Sequence, residues 1–384
     1  MNDSDRRPPK VPRPIPAPRV PSPPLGCVLG RAWPVVESCG DGTSIVTFVR
    51  YAPQATGVLL FVNRLTDERN LVASEMEAVG ELGFWLLSYR MHDDWRASYS
   101  LIEHPGNGEP PWRAQTGQVQ LRALLDAAHA DPGNPLATVN KAGHAVSVVE
   151  LPAAPPQAFV AAPGAPRPQQ VDLVAADGSP RPIWTHRAGS GVDLPLVMIL
   201  DGETWLDRYS LTVALDAAVA AGALPALQAV FVGTGSREQR WDDVGHAGGV
   251  TEFVARTVVP WARSTLDVSA DPVRTVIAGQ SLGGLSALWA LAAYPDVIGS
   301  AVAQSASLWS SSPVSELRSA GRVRLYLEVG RQEWLLLPLH RELRRGLIST
   351  QVDLRYVEYN GGHDYACWRG GLIDGLAALL EPGD

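Results

Sequence analysis

Cysteine is scarce in this chain: Cys27, Cys39 and Cys367 are the only three in 384 residues, odd in number and widely scattered. That spacing excludes a disulfide framework and a zinc motif, and it favours reduced thiols in a cytoplasmic protein. No run of about 18 uncharged apolar residues occurs, so no membrane-spanning helix is expected. The first residues, Met1-Asn-Asp-Ser-Asp-Arg-Arg7, carry positive charge but no apolar stretch behind it, which excludes a secretory signal. An excess of cations is missing too. Lys and Arg number 32 against 40 Asp and Glu, a net charge of −8, and that balance argues against a nucleic-acid partner.

Proline, by contrast, is abundant and unevenly placed. Pro8 to Pro24 alternates proline with short polar or basic stretches, a composition that prefers an extended, solvated chain. Residues 1–25 therefore read as a disordered leader, and removing residues 1–24 should leave folding and catalysis intact. The remainder has ordinary globular proportions, with 46% hydrophobic and 19% charged residues, and is long enough for two domains.

Residues 26–152 hold β-rich runs separated by turn signals: Thr43–Arg50, Gly57–Asn63, Phe84–Arg90 and Trp95–Ile102. Short strands without helices between them predict an all-β, sandwich-like domain. A Pro/Ala linker spans 153–168. From 169 to 384 the pattern changes to strand–helix alternation. An opening hairpin (171–174, 181–186) is followed by strands at 194–200, 227–232, 273–278, 324–329 and 352–358. Helices are expected at 211–221, 251–266, 282–293 and 371–380. This predicts an α/β domain with a mostly parallel sheet covered on both faces.

One short string carries the chemistry. Ala278-Gly-Gln-Ser-Leu-Gly-Gly284 lies between an apolar strand and a helical run. Gly279-x-Ser281-x-Gly283 in that setting is the nucleophile elbow of α/β-hydrolases, whose glycines leave room beside a strained, exposed serine. A hydroxyl nucleophile needs a base and an orienting acid, in the chain order nucleophile, acid, histidine. Only His340 and His363 follow Ser281. His340 sits in a pattern that reads as a surface helix, whereas His363 follows a strand in Asn360-Gly-Gly-His-Asp364, so His363 is the candidate base. Glu333, just past the strand ending at Gly330, is the favoured acid, with Glu328 and Asp364 as alternatives. The amide of Leu282, and that of Glu203 in the turn Asp201-Gly-Glu-Thr-Trp205, are the candidate oxyanion donors.

These strings together resemble the enterochelin esterase family, hydrolases of catecholate-siderophore trilactones. The elbow Ala278–Ala287, the histidine loop Gly361–Leu372, the acid loop Leu327–Glu333 and the segments Gln304–Trp309 and Leu200–Trp205 carry the resemblance in the second unit. Asp94–Tyr99, Asp131–Pro135 and Gly143–Pro152 carry it in the first. The resemblance supports Glu333 as the acid. It implies an α/β-hydrolase that cleaves the esters of a ferric tris-catecholate, with iron entering only as part of the substrate and no resident cofactor or metal. Such a trianion could be held by Arg237, Arg240, Arg331 and Arg369 and faced by Trp205, Trp241, Trp309, Trp334 and Trp368, all placed by the sequence in loops. One segment departs from the family. At Ser236–Gly245 the family's Glu-Leu and asparagine have no counterpart, which leaves the siderophore preference open, as it leaves the oligomeric state. A general aryl or feruloyl esterase, an acyltransferase and a non-catalytic siderophore-binding module are the competing readings. The β-rich unit carries no catalytic set and is expected to supply a second wall for a bulky substrate.

Overall fold

A computed structural model of the protein describes residues 11–15, 17–106, 108–114, 123–235 and 237–380, with only the backbone described for Arg237 and Glu238. The N-terminal unit is built from antiparallel strands: β1 (Arg19–Val20), β2 (Val35–Ser38), β3 (Thr43–Tyr51), β4 (Gly57–Val62), β5 (Glu77–Ala78), β6 (Phe84–His92), β7 (Arg96–His104), β8 (Ala137–Val139) and β9 (Ala145–Glu150). One sheet runs β1-β6-β3-β2 with β5 on β6, and the other runs β4-β7-β9-β8. Alternate residues of each sheet point to a shared core. Phe48 and Leu87 from the first meet Leu60 and Tyr99 from the second, with the Phe48 and Tyr99 rings edge to face at 4.9 Å.

The C-terminal unit is an α/β-hydrolase fold. Its sheet contains β10 (Gln170–Val174), β11 (Pro180–Ala188), β12 (Leu196–Leu200), β13 (Leu227–Val232), β14 (Thr275–Gln280), β15 (Ser300–Gln304), β16 (Val323–Gly330) and β17 (Val352–Tyr359). The order is β10-β11-β13-β12-β14-β15-β16-β17, antiparallel at the first two junctions and parallel from β13 to β17. The strand β12, Leu-Val-Met-Ile-Leu, is buried on both faces, as a run without polar alternation requires. Leu196, Met198 and Leu200 face one helical layer, with Leu285 and Leu288 of the elbow helix Leu282–Ala293. Val197 and Ile199 face the other, with Leu206, Leu215, Leu372 and Leu376.

Three differences from the sequence expectation have physical causes. The strand Ser300-Ala-Val-Ala-Gln304 has little β-branched content and is held by its fully buried position between β14 and β16. The last helix starts at Tyr365, not at 371, and runs through Gly370-Gly371. A Cβ at Gly371 would lie 2.3 Å from Glu328 Oε2, so the glycine that weakens the helix also admits that carboxyl group. The leader is also not a free chain where it is described. Arg19–Val20 pairs with β6, Arg13 donates from Nη1 to the carbonyl of Arg64 at 2.6 Å, and Trp334 Nε1 donates to the carbonyl of Val11 at 3.0 Å. Residues 1–10 and 16 of that leader lie outside the described residues.

Candidate active site

The chain leaves β14 at Gln280 and enters the elbow helix at Leu282, so Ser281 alone makes the turn. It does so at φ 58°, ψ −120°, a conformation that costs a non-glycine residue roughly 1–3 kcal/mol. Two neighbours hold it. The Ser281 amide donates to Gln304 O at 2.9 Å, and the Ser307 amide donates to Ser281 O at 3.0 Å. The elbow glycines are not equivalent. A Cβ at Gly279 would lie 2.3 Å from Gly283 O, and one at Gly284 would lie 2.9 Å from Gln304 O. At Gly283 the nearest atom, Leu200 Cβ, is at an ordinary 3.6 Å, which corrects the expectation that the whole motif lacks room. Gly279→Ala is therefore expected to lower stability by about 3 kcal/mol. Gly283→Ala should be neutral, or gain up to about 0.5–1 kcal/mol of helix propensity. Urea unfolding midpoints check both, and equal losses would contradict this division.

His363 lies in the loop between β17 and the last helix. Its Nδ1 is 2.6 Å from Glu333 Oε2. Burial pushes the Glu333 carboxyl up, but His363, the Arg64 guanidinium and the Ser305 hydrogen bond outweigh it and bring the pKa down to about 2. An ionised carboxylate only accepts, so Nδ1 carries the proton and the neutral imidazole keeps a bare Nε2. The other Glu333 oxygen accepts from Ser305 Oγ at 2.5 Å and from the Gly330 amide at 3.0 Å. Trp368 closes this cage: its Nε1 donates to Ser305 Oγ at 3.0 Å, and its ring meets His363 edge on at 4.7 Å.

The two alternative acids are occupied otherwise. Burial raises the Glu328 carboxyl to about 8, so it is largely protonated at neutral pH, and it accepts from Gln304 Nε2 at 2.6 Å. Asp364 caps the last helix through the Ala366 amide at 2.9 Å and accepts from the Ser98 amide at 2.6 Å. His340 does lie on a helix, Leu336–Gly346, but is fully buried instead of facing solvent, with Nδ1 2.9 Å from Leu336 O.

The depressed Glu333 pKa has a consequence for acid stability. Its ionised form contributes stability above the ordinary value of 4.5, and that contribution is lost as pH falls towards about 2. Glu333→Gln is expected to remove this dependence. Its urea midpoint should fall less than that of the wild type between about pH 5 and about pH 3. Equal falls would contradict an ionised, stabilising Glu333.

Ser281 and His363 line one cleft of about 250 Å³. The N-terminal unit supplies Asn63, Ser98, Val139, Asn140, Lys141 and Val146 to its wall, and Arg240, Gln280, Tyr365 and Trp368 are also at its surface. Asn63 Nδ2 donates to His363 O at 3.0 Å, and the Arg96 amide donates to Asn360 O at 3.1 Å. The glycines before His363 admit this grip. A Cβ at Gly361 would lie 2.9 Å from Arg96 O, and one at Gly362 would lie 2.4 Å from both Asn63 Oδ1 and Arg64 Cγ.

Of the candidate binding residues, the structure brings Arg240 and Trp368 to this cleft. Trp205 lies on the helix Gly202–Tyr209, fully buried beneath it, because its ring packs against Tyr209 and Tyr365 at 5.4 Å. Trp241 and Trp309 pack against the hydrophobic core. Trp334 is covered by the Arg13 and Arg64 guanidinium groups at 5.7 and 5.6 Å. Three of these tryptophans, Trp205, Trp241 and Trp368, sit on helices and not in loops. Arg331 pairs with Asp94, and Arg369 donates to Gln157 Oε1 of the linker at 2.9 Å and to Thr138 Oγ1 of the N-terminal unit at 3.4 Å, so both arginines tie the two units together and lie outside this cleft. The side chain of Arg237 lies outside the described residues.

The candidate oxyanion amides begin the helices that follow the adjacent parallel strands β12 and β14, where first-turn N–H groups have no intrahelical acceptor. Neither Leu282 nor Glu203 is among the cleft-lining residues, and the Glu203 carboxylate accepts from the Thr234 amide at 3.1 Å.

The comparisons with known proteins agree across both units. The model of the enterochelin esterase N-terminal domain matches residues 45–160, and a putative esterase model matches 185–379. The iron(III) salmochelin esterase of Escherichia coli is 31% identical over 90% of this chain and 89% of its own length. The iron(III) enterobactin esterase of Dickeya dadantii is 30% identical, covering 91% of each chain. The chain belongs to the enterochelin esterase family.

It also shares that family's structure. The ferric enterobactin esterase of Salmonella typhimurium aligns with a TM-score of 0.80 at 28% identity, covering 91% of this chain and 96% of that one. The enterobactin esterase of Shigella flexneri, solved in the presence of enterobactin, gives 0.77 at 27% identity over 92% and 97%. This enterochelin esterase family member is a carboxylic-ester hydrolase with an α/β-hydrolase fold behind a β-sandwich domain. Among its described residues, no helix is long and apolar enough to cross a membrane, and no cluster of three His, Cys, Asp or Glu could hold a metal ion.

Proposed function

We propose that this esterase opens the ester bonds of a ferric catecholate-siderophore trilactone through an acyl-enzyme on Ser281. The observation that carries the reading is the convergence of Ser281 and His363 on one cleft, with His363 Nδ1 held 2.6 Å from the Glu333 carboxylate. In the first step Ser281 Oγ attacks the ester carbonyl and His363 Nε2 takes its proton. Glu333 keeps the imidazole in the Nδ1–H tautomer and stabilises the imidazolium. The tetrahedral oxyanion is met by the amides of Leu282 and Glu203. Its collapse breaks the ester bond, and His363 returns the proton to the departing serine hydroxyl of the substrate. Water, deprotonated by the same nitrogen, then releases the acyl group as a carboxylate.

The substrate class is supported by relatives named for iron(III) enterobactin and iron(III) salmochelin esterases. Iron enters as part of the substrate, with no resident cofactor and a cytoplasmic setting. Arg240 and Trp368, at the cleft surface, suit an anionic aromatic ligand. The test is to incubate the pure protein with ferric and iron-free cyclic trilactone and with a simple aryl ester, weighing the products by mass spectrometry. Linear trimer, dimer and monomer from the trilactone are expected. Turnover of the aryl ester alone would replace the reading with a general esterase. Trilactone binding without turnover of either ester would make the protein a binding module.

A further inference from the structure

Gln280 precedes the nucleophile at the end of β14 and is only 1% exposed. The orientation of its amide is set by Trp205. The indole N–H, which can only donate, meets Gln280 Oε1 at 3.2 Å, and a flipped amide would face donor with donor. The NH2 group is therefore the one left over, and no described protein atom accepts from it. A buried donor without an acceptor is destabilising, and this one belongs to a residue of the cleft wall beside Ser281.

At the same cleft two cations share one buried carboxylate. Arg240 donates to both oxygens of Asp201, at 2.5 and 2.6 Å, and Lys141 donates to Oδ1 at 2.9 Å. Asp201 is 2% exposed, and its two cations hold its carboxyl well below the usual range against the burial that pushes it up. Both cations are at the cleft surface, where Glu203 also attracts them, and the carboxylate of the cleft wall itself, Asp364, is taken up by the Ser98 and Ala366 amides. Lys141 comes from the β8–β9 turn of the N-terminal unit, and its side chain keeps 45% exposure.

We propose that Gln280 Nε2 and Lys141 Nζ, backed by Arg240, form a subsite for an anionic oxygen of the substrate beside the ester that Ser281 attacks. The subsite joins a donor from the catalytic elbow to a charge from the N-terminal unit, so substrate selection depends on the docking of the two units. An anionic oxygen has two sources under the proposed function, on which this part of the inference rests. It is a catecholate oxygen, charged when iron is bound, or the carboxylate created by a first ester cleavage.

The test compares kcat/KM ratios. One pair is two p-nitrophenyl esters of equal size whose acyl chains end in a carboxylate or a carboxamide. The other is ferric against iron-free trilactone. Lys141→Met is expected to lower the charged-to-uncharged ratio at least tenfold in one pair, and Lys141→Arg to restore it. Gln280→Glu keeps the acceptor for Trp205 and places an oxygen where the NH2 was, so it should lower the same ratio. The pair that responds identifies the source. Ratios within twofold of wild type in both pairs, for both Lys141→Met and Gln280→Glu, would overturn the subsite. Failure of the siderophore reading is seen separately, as absence of trilactone turnover by the wild type while the small-ester ratio still responds.

Discussion

Ser281→Ala is expected to lower kcat/KM for ester hydrolysis by roughly 10⁴–10⁶ while the protein remains folded. Among the described residues its side chain makes one polar contact, a 3.3 Å approach to Ser307 Oγ, and the turn is held by main-chain bonds that alanine keeps. His363→Ala should fall in the same range, and the double variant should be little worse than either, because nucleophile and base act as a unit. Glu333→Ala should be milder, since the oxyanion donors and the base remain. Initial rates on an aryl ester and on the trilactone, with circular dichroism to establish folding, check all four variants. Near-wild-type hydrolysis by folded Ser281→Ala would end the assignment. A larger loss from Asp364→Asn, which keeps an oxygen to cap the helix, than from Glu333→Ala would move the acid.

Removal of residues 1–168 is expected to lower kcat/KM by about 100-fold or more on small and large esters alike. The sequence suggests only a second wall, with the bulky substrate suffering most. The structure adds a direct hold on the loop of the proposed base His363: Asn63 on His363 O, the Ser98 amide on Asp364 and the Arg96 amide on Asn360 O. A displacement of about 1 Å at a catalytic group costs about 10²-fold whatever the substrate. Asn63→Ala isolates the effect in the full chain and should lower kcat on both esters with little change in KM. A truncated, folded protein that kept its small-ester activity would show that the first unit serves substrate recognition alone. The leader gives a smaller version of the same effect. Arg13 bonds the carbonyls of Arg64 and Leu65 next to Asn63, so deleting residues 1–24 should lower stability, in contrast to the solvated chain its proline content suggests.

What could be read from the residues was local. The elbow is legible because strand, glycine spacing and helix are contiguous, and His363 because so few histidines follow Ser281. Glu333, Glu328 and Asp364 differ little in sequence. They are separated by burial beside an uncharged partner for Glu328, by a helix cap for Asp364 and by contact with His363 for Glu333. Tryptophans could not be sorted, because the same apolar ring suits a core or a cleft. Trp205 went to the core and Trp368 to both. Asn63, Ser98 and Lys141 were missed because nothing in their own neighbourhoods signals a site. Each becomes part of the cleft only when the two units dock and bring it beside Ser281, more than a hundred residues away in sequence. The turn Asn140-Lys-Ala-Gly143 could have been flagged as a tight turn, but not as the carrier of a cleft cation.

The most direct measurement is covalent mapping with a phosphonate analogue of the siderophore's acyl-serine unit, which leaves a stable tetrahedral adduct on an activated nucleophile. Tryptic mass spectrometry is expected to place one adduct per chain on Ser281, with trilactone hydrolysis lost in proportion to labelling. An adduct mapped to another residue, or hydrolysis surviving complete labelling of Ser281, would contradict the account.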